Sequence, residues 1–282
     1  MSRATAALAV FLLVAPRIAE AEASSYPEPP GTWFVDLGYT YFQSSSFFDQ
    51  SGIIRGSPCA FQKDAMTIYA EYGANAKDTL SISTEYDTIS NRNAAGSVCS
   101  AVGTTSGLND IELGLTHNVY QGTPGNFGYQ VIAIVPGGYS STEIPPIGYG
   151  RPGAQAGIVF GKTFKFLGTY GFFDGNLGVR AYTGYPAPQL RSYATVGIDV
   201  AKPIQLLGTY SGVQALGAGG VGPSLIGSNP FTSPSYDYVQ LGGQLRIRFS
   251  EAASLVAGFS DFVSGKNVGD GRSLFGNVWL RF

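Results

Sequence analysis

Charge is scarce in this chain: only 13% of its 282 residues are Asp, Glu, Lys or Arg. Histidine occurs once, at His117, and cysteine twice, at Cys59 and Cys99. So few imidazoles and thiols argue against structural zinc or haem, which draw several such ligands, and no metal or cofactor is expected. The 17 basic and 19 acidic residues leave a net charge of -2, without the basic excess that a nucleic-acid binder needs to offset phosphate. Beyond the first residues there is no uninterrupted apolar stretch of about 18 residues, the length a membrane helix requires. What the chain has in quantity is glycine (39), phenylalanine (18) and tyrosine (17). That is too apolar and aromatic for disorder, and it points to an all-β protein.

The front end reads as an export signal. Arg3 is followed by ATAALAVFLLVAP (4–16) and then by two overlapping Ala-x-Ala sites within Ala19–Ala23. This is the order of basic, apolar and small-residue regions that precedes signal cleavage. The expected organisation is a cleaved signal at 1–23, a short periplasmic lead at 24–32 and a single β-domain at 33–282. Exported cysteines meet an oxidising compartment, so Cys59 and Cys99 are expected to pair, bridging two long loops.

From Trp33 onward the sequence divides into twelve segments with period-two alternation, the repeated signal of barrel strands: 33–42, 64–74, 79–88, 108–118, 127–137, 153–163, 172–182, 189–201, 206–217, 237–248, 253–263 and 273–282. Connections after odd segments are mostly long (43–63, 89–107, 138–152, 218–236), and those after even segments are short. Outer-membrane barrels combine short periplasmic turns, long external loops and an even strand count. The expected fold is therefore a 12-stranded antiparallel transmembrane β-barrel with periplasmic termini, in the outer membrane of a Gram-negative bacterium. Aromatics near segment ends suggest two interfacial girdles: Trp33, Tyr72, Phe127, Phe173, Phe249 and Phe282 low, Tyr41, Tyr182, Tyr238 and Phe262 high. The last segment ends in Val278, Leu280 and Phe282 at alternate positions. It resembles the C-terminal signal by which the barrel-assembly machinery recognises its clients.

Three stretches are similar to one family. GLNDIELGLTH (107–117), VIAIVPGGY (131–139) and GRPGAQAGIVFGKTF (150–164) resemble strands of the outer-membrane transporters labelled for the meta-pathway of phenol degradation. The likeness covers most of the mature chain. This chain has Pro-Gly-Gly where Pro-Thr-Gly is usual in the family, and the two cysteines lie outside its pattern. The resemblance implies passage of small, aromatic or hydrophobic compounds.

Alternation places acidic side chains inside on the early segments: Asp36, Glu71, Glu85, Asp87, Asp110 and Glu112. It places arginines inside on the later ones: Arg180, Arg191, Arg246, Arg248 and Arg281, with Asp199 the exception. Two readings follow, a lumen with opposed acidic and basic walls that orients solutes, or charges paired across a narrow lumen. Loop 43–63 holds Phe47, Phe48, Ile53, Ile54 and Phe61, expected to fold inward and form an apolar entry. His117 is followed by Asn118 and Val119, leaving no Ser–His pair on that strand face, and no enzyme is expected. The functional expectation is a channel for passive passage of small solutes. The alternative is a closed structural barrel whose external loops act in binding or adhesion.

Overall fold

The hydrogen-bond ladder runs further along the chain than the alternating segments above. The computed structural model describes residues 24–282 except 124, 141, 167, 220–228 and 230; the signal expected at 1–23 lies outside the described residues. The strands are β1 (Trp33–Phe48), β2 (Ile54–Gly73), β3 (Asp78–Asn93), β4 (Gly103–Leu108), β5 (Ile111–Gly122), β6 (Gly125–Val135), β7 (Gly153–Phe166), β8 (Thr169–Tyr182), β9 (Gln189–Ala201), β10 (Ile204–Ala215), β11 (Asp237–Arg248), β12 (Ala253–Lys266) and β13 (Val268–Arg281). β4 and β5 pair in turn with β3 and form one stave interrupted at Asn109–Asp110. The thirteen strands therefore make twelve staves, all antiparallel to their neighbours, and the pairing of β1 with β13 closes the cylinder. A closed barrel satisfies every ladder group internally, as a wall facing lipid must.

The connections separate into two kinds. At the end that carries both termini, β2–β3, β5–β6, β7–β8, β9–β10 and β11–β12 are joined by tight turns. The longer connections stand at the opposite end, here called the loop end. Two of them are shorter than the sequence pattern suggests: β1 and β2 continue as a ladder to Phe48↔Ile54, and β12 and β13, whose mutual pairing ends at Asp261↔Arg272, run on along β11 and β1 until only Asn267 separates them. Ser, Gln and Gly in 43–63 read as loop, but the cross-strand partners supply the pairing. The β1–β2 tip is reduced to Asp49–Ile53, held by Asp49 accepting from the amides of Ser51 (2.8 Å) and Ile53 (3.0 Å) and from Arg55 Nε (3.0 Å). Cys59 and Cys99 form the disulfide. It fastens the loop-end extension of β2 to the connection after β3, beside the last β2–β3 pair, Cys59↔Asn93.

Alternate residues face outward, and they are apolar. Leu37, Met66, Ile68, Leu80, Ile82, Leu113, Val131, Leu177, Val179, Leu245, Leu255 and Val278 are all exposed. On a water-soluble protein so continuous a belt is a liability; around a closed barrel it matches the hydrocarbon. Trp33 packs on Tyr72, ring centroids 4.9 Å apart, and with Phe127, Phe249 and Phe282 forms an exposed aromatic rim at the terminal end. The high girdle differs from expectation. Tyr182, Tyr238 and Phe262 turn inward and join a buried cluster, because each shares strand parity with a lumen-facing neighbour (Arg180, Gln240 and Ser260).

Candidate functional site: a chamber inside the barrel

Two apolar clusters divide the lumen. Toward the terminal end, Phe34 (β1), Tyr69 (β2), Phe172 (β8), Leu207 (β10), Val256 (β12) and Trp279 (β13) meet across the cylinder. Phe34 approaches Trp279 edge-on, centroids 5.9 Å apart. These are inward positions on strands from opposite walls, so this half of the lumen is filled by side chains, as narrow barrels can be.

The lead segment completes the closure below. Ser25 donates to Asp174 of β8 from its backbone N (3.0 Å) and its hydroxyl (2.7 Å), while the Glu28 amide donates to Thr79 of β3 (3.2 Å). Glu28 also pairs with Arg281 of β13 at 3.2 Å. A chain running from β1 to β8 needs close approach to the wall, and two glycines allow it: a Cβ at Gly73 would collide with the Pro29 carbonyl, and one at Gly161 with Ser25 Oγ.

The loop end is roofed by rings. Phe231 sits among Phe42 (5.0 Å), Phe61 (6.2 Å) and Phe262 (6.0 Å). Asn229 Nδ2 donates to the Pro146 carbonyl (2.9 Å), and the Tyr149 hydroxyl donates to the Ser233 carbonyl (3.0 Å). These contacts join the connection after β10 to the connection after β6. That second connection is moored by Tyr139, whose hydroxyl donates to Asp110 (2.5 Å) and accepts from the Gly150 amide (3.0 Å). Burial and the neighbouring Asp110 carboxylate hold the Tyr139 phenol protonated well above its ordinary range. Of the apolar residues in 43–63, Phe48 and Phe61 are buried inside, while Phe47, Ile53 and Ile54 stay outside and exposed.

Between roof and floor lies a chamber of about 350 Å³, at the lower end of the range for small-molecule sites. Glu85, Asp110, Glu112, Arg180 and Arg191 of the expected set line it, together with Lys63. The charges are largely engaged with one another. Arg180 meets Glu112 through two bonds (2.6 and 2.9 Å), and Lys63 bridges Glu85 (2.6 Å) and Asp87 (3.2 Å). Below the chamber, Asp36 accepts from Asn277 Nδ2 (2.8 Å) and Trp279 Nε1 (2.9 Å), and Glu71 accepts from the Tyr69 hydroxyl. Arg248 pairs with Asp199 at 2.5 Å, and Arg246 bonds Ser254 and lies 4.9 Å from the Trp279 ring centroid. Sequence parity found these charged groups. It missed Lys63, which falls in a segment read as loop, and the uncharged hydroxyls and amides, which carry no distinctive signal among the many Ser, Thr and Gln of the chain.

His117 stands outside the lumen, its Nδ1 2.6 Å from Asp78 Oδ1 and its ring 5.1 Å from Tyr129. Among the described residues no cluster of three or more His, Cys, Asp or Glu is placed to hold a metal ion.

In sequence, no family model matches the chain, and neither does any curated protein. In structure it is similar to an outer-membrane channel from Pseudomonas putida F1, with a TM-score of 0.72 at 12% identity, over 95% of this chain and 100% of that one. Also matched are the translocator domain of the autotransporter NalP from Neisseria meningitidis (TM-score 0.49, 13% identity, 90% of each chain) and the monoaromatic hydrocarbon channel CymD (TM-score 0.43, 12% identity, 90% of this chain and 89% of that one). The first likeness shows a shared fold: a 12-stave antiparallel barrel of the outer-membrane kind.

Proposed function

We propose that this protein is an outer-membrane channel for passive passage of small solutes. The observation that carries the reading is the chamber itself: a lined space of about 350 Å³ inside a barrel whose outer surface is apolar. A barrel serving only as a wall would gain stability by filling that volume with side chains, as the half toward the termini is filled. The tight turns lie on the periplasmic side in this reading and the ring roof faces outside. The C-terminal Val278, Leu280 and Phe282 present the strand to the barrel-assembly machinery. The lumen charges act chiefly as a stabilising mesh, because Arg180–Glu112 and Lys63–Glu85 are engaged pairs. No catalytic role is assigned.

The phenol meta-pathway resemblance supports aromatic compounds among the solutes that pass, the rings of Phe42, Phe231 and Phe262 suiting the flat face of such a molecule at the outer mouth. Retention in the chamber below is set instead by its hydrogen-bonding wall. Single-channel recording of the refolded protein in a planar bilayer tests the proposal. Discrete conductance steps support it, and a silent, heat-resistant barrel removes it. Silence would favour the second reading, a closed barrel acting through its loops, which draws on the ring cluster at the loop end and the packed cluster toward the termini.

A further inference from the structure

The chamber has two unlike walls. On one, Arg180 pairs with Glu112 and Lys63 with Glu85, while Asp110 accepts from the Tyr139 hydroxyl and Arg191 stands beside them. On the other, formed by β1 and β10–β13, Thr40, Thr209, Ser211, Gln240, Gln244 and Ser260 line the space, and their side chains make no hydrogen bond among the described residues. The register makes this wall a checkerboard. Ser211 stands opposite Gln240, and Gln240 opposite Phe262. Ser260 stands opposite Ser273, Ser273 opposite Phe42 and Thr40 opposite Phe275. Hydroxyls and amides thus sit within one strand spacing of ring faces, below the Phe231 roof.

From this wall we infer that the chamber is a binding site for a small neutral ring compound carrying several hydroxyl groups. Hydroxyls on such a solute both donate and accept, as Ser, Thr and Gln require, while its C–H faces lie against Phe42, Phe262 and Phe275. A hydrocarbon would strip water from these polar groups and return no hydrogen bond, which is unfavourable. An ion would have to compete with the Lys63–Glu85 and Arg180–Glu112 pairs, each closed at 2.6 Å, and the wall of hydroxyls and amides supplies no full counter-charge. The inference rests on the channel reading for how the solute arrives, but the binding chemistry stands on the wall alone.

The test is calorimetric titration of the refolded full-length protein in detergent with D-glucose, myo-inositol, benzoate and toluene, alongside osmotic swelling of proteoliposomes. Saturable binding of glucose or inositol is expected, with none for toluene or benzoate. Gln240→Leu should weaken it at least tenfold. The paired Ser260→Ala and Ser273→Ala substitutions, small enough to keep the barrel folded, should weaken it severalfold. Saturable toluene or benzoate binding without polyol binding overturns the assignment, as does polyol binding unmoved by both sets of substitutions. Swelling with no saturable polyol binding overturns it while leaving the channel standing. Polyol binding without swelling sustains it and removes the channel.

Discussion

At the scale of single residues, the Arg180–Glu112 pair decides how much the lumen charges contribute to the barrel. The Arg180 side chain is 5% exposed and Glu112 18%, so removing one partner strands a desolvated charge, whereas removing both does not. Glu112→Gln is expected to lower unfolding stability by about 3 kcal/mol, and the double substitution Glu112→Gln/Arg180→Gln to recover much of that. Urea-unfolding curves of the singles and the double, treated as a cycle, measure the coupling. Asp49 gives a pH dependence in water rather than in the wall. Hydrogen bonds from the Ile53 amide and Arg55, with smaller help from the Ser51 amide, hold its carboxyl below the ordinary 3.8. A depressed value means the contribution is present above 3.8 and lost as pH falls through the folded value. Protection of the Ser51 and Ile53 amides, measured as the exchange rate relative to the intrinsic rate at the same pH, should therefore be retained above 3.8 and fall in stronger acid, and Asp49→Asn should flatten that dependence. The inward acids and arginines were legible because a charge on one strand face contrasts with apolar neighbours. Ser211, Gln240 and Ser260 gave no such contrast, and only the register brings them together.

At the scale of elements, strand cores were legible and strand ends were not. β9 and β11 have the bounds that alternation gives, Gln189–Ala201 and Asp237–Arg248. β2 starts ten residues ahead of its sequence segment, at Ile54 instead of 64, because Gly56, Ser57 and Pro58 read locally as loop while the partner strand β1 dictates extension. The interruption at Asn109–Asp110 did leave a trace, since Leu108 and Ile111 stand three apart instead of an even number, but the segment 108–118 runs across it. The disulfide belongs to this scale too. A 40-residue separation corresponds to about 4 kcal/mol in the loop-entropy account, but the β2–β3 ladder already closes most of that loop. Cys59→Ser with Cys99→Ser is therefore expected to open 54–60 and 94–102 to protease while the heat-resistant barrel band on a gel is unchanged. A large fall in melting temperature would contradict this.

At the scale of the whole molecule, the lead segment and the ring roof bracket one chamber, so the two closures can be separated by deletion. A chain lacking Ser24–Gly31 loses the ties to Asp174, Thr79 and Arg281 but keeps every strand. Single-channel conductance is expected to match that of the full chain, because the apolar cluster around Trp279 still fills the lumen above the deleted segment, with little change in heat resistance. A larger conductance would put the limiting constriction at the lead segment instead.

The seam between the first and last strands carries a further consequence, one of timing. Phe34↔Arg281 and Asp36↔Trp279 join residues from opposite ends of the chain, and Glu28–Arg281 adds a tie beside them. Contacts so distant in sequence bear the largest loop-closure cost and give nothing until the intervening strands are in place. The cylinder therefore seals last along β1 and β13. The segment that crosses its terminal end is laid down in the same step that makes the wall continuous.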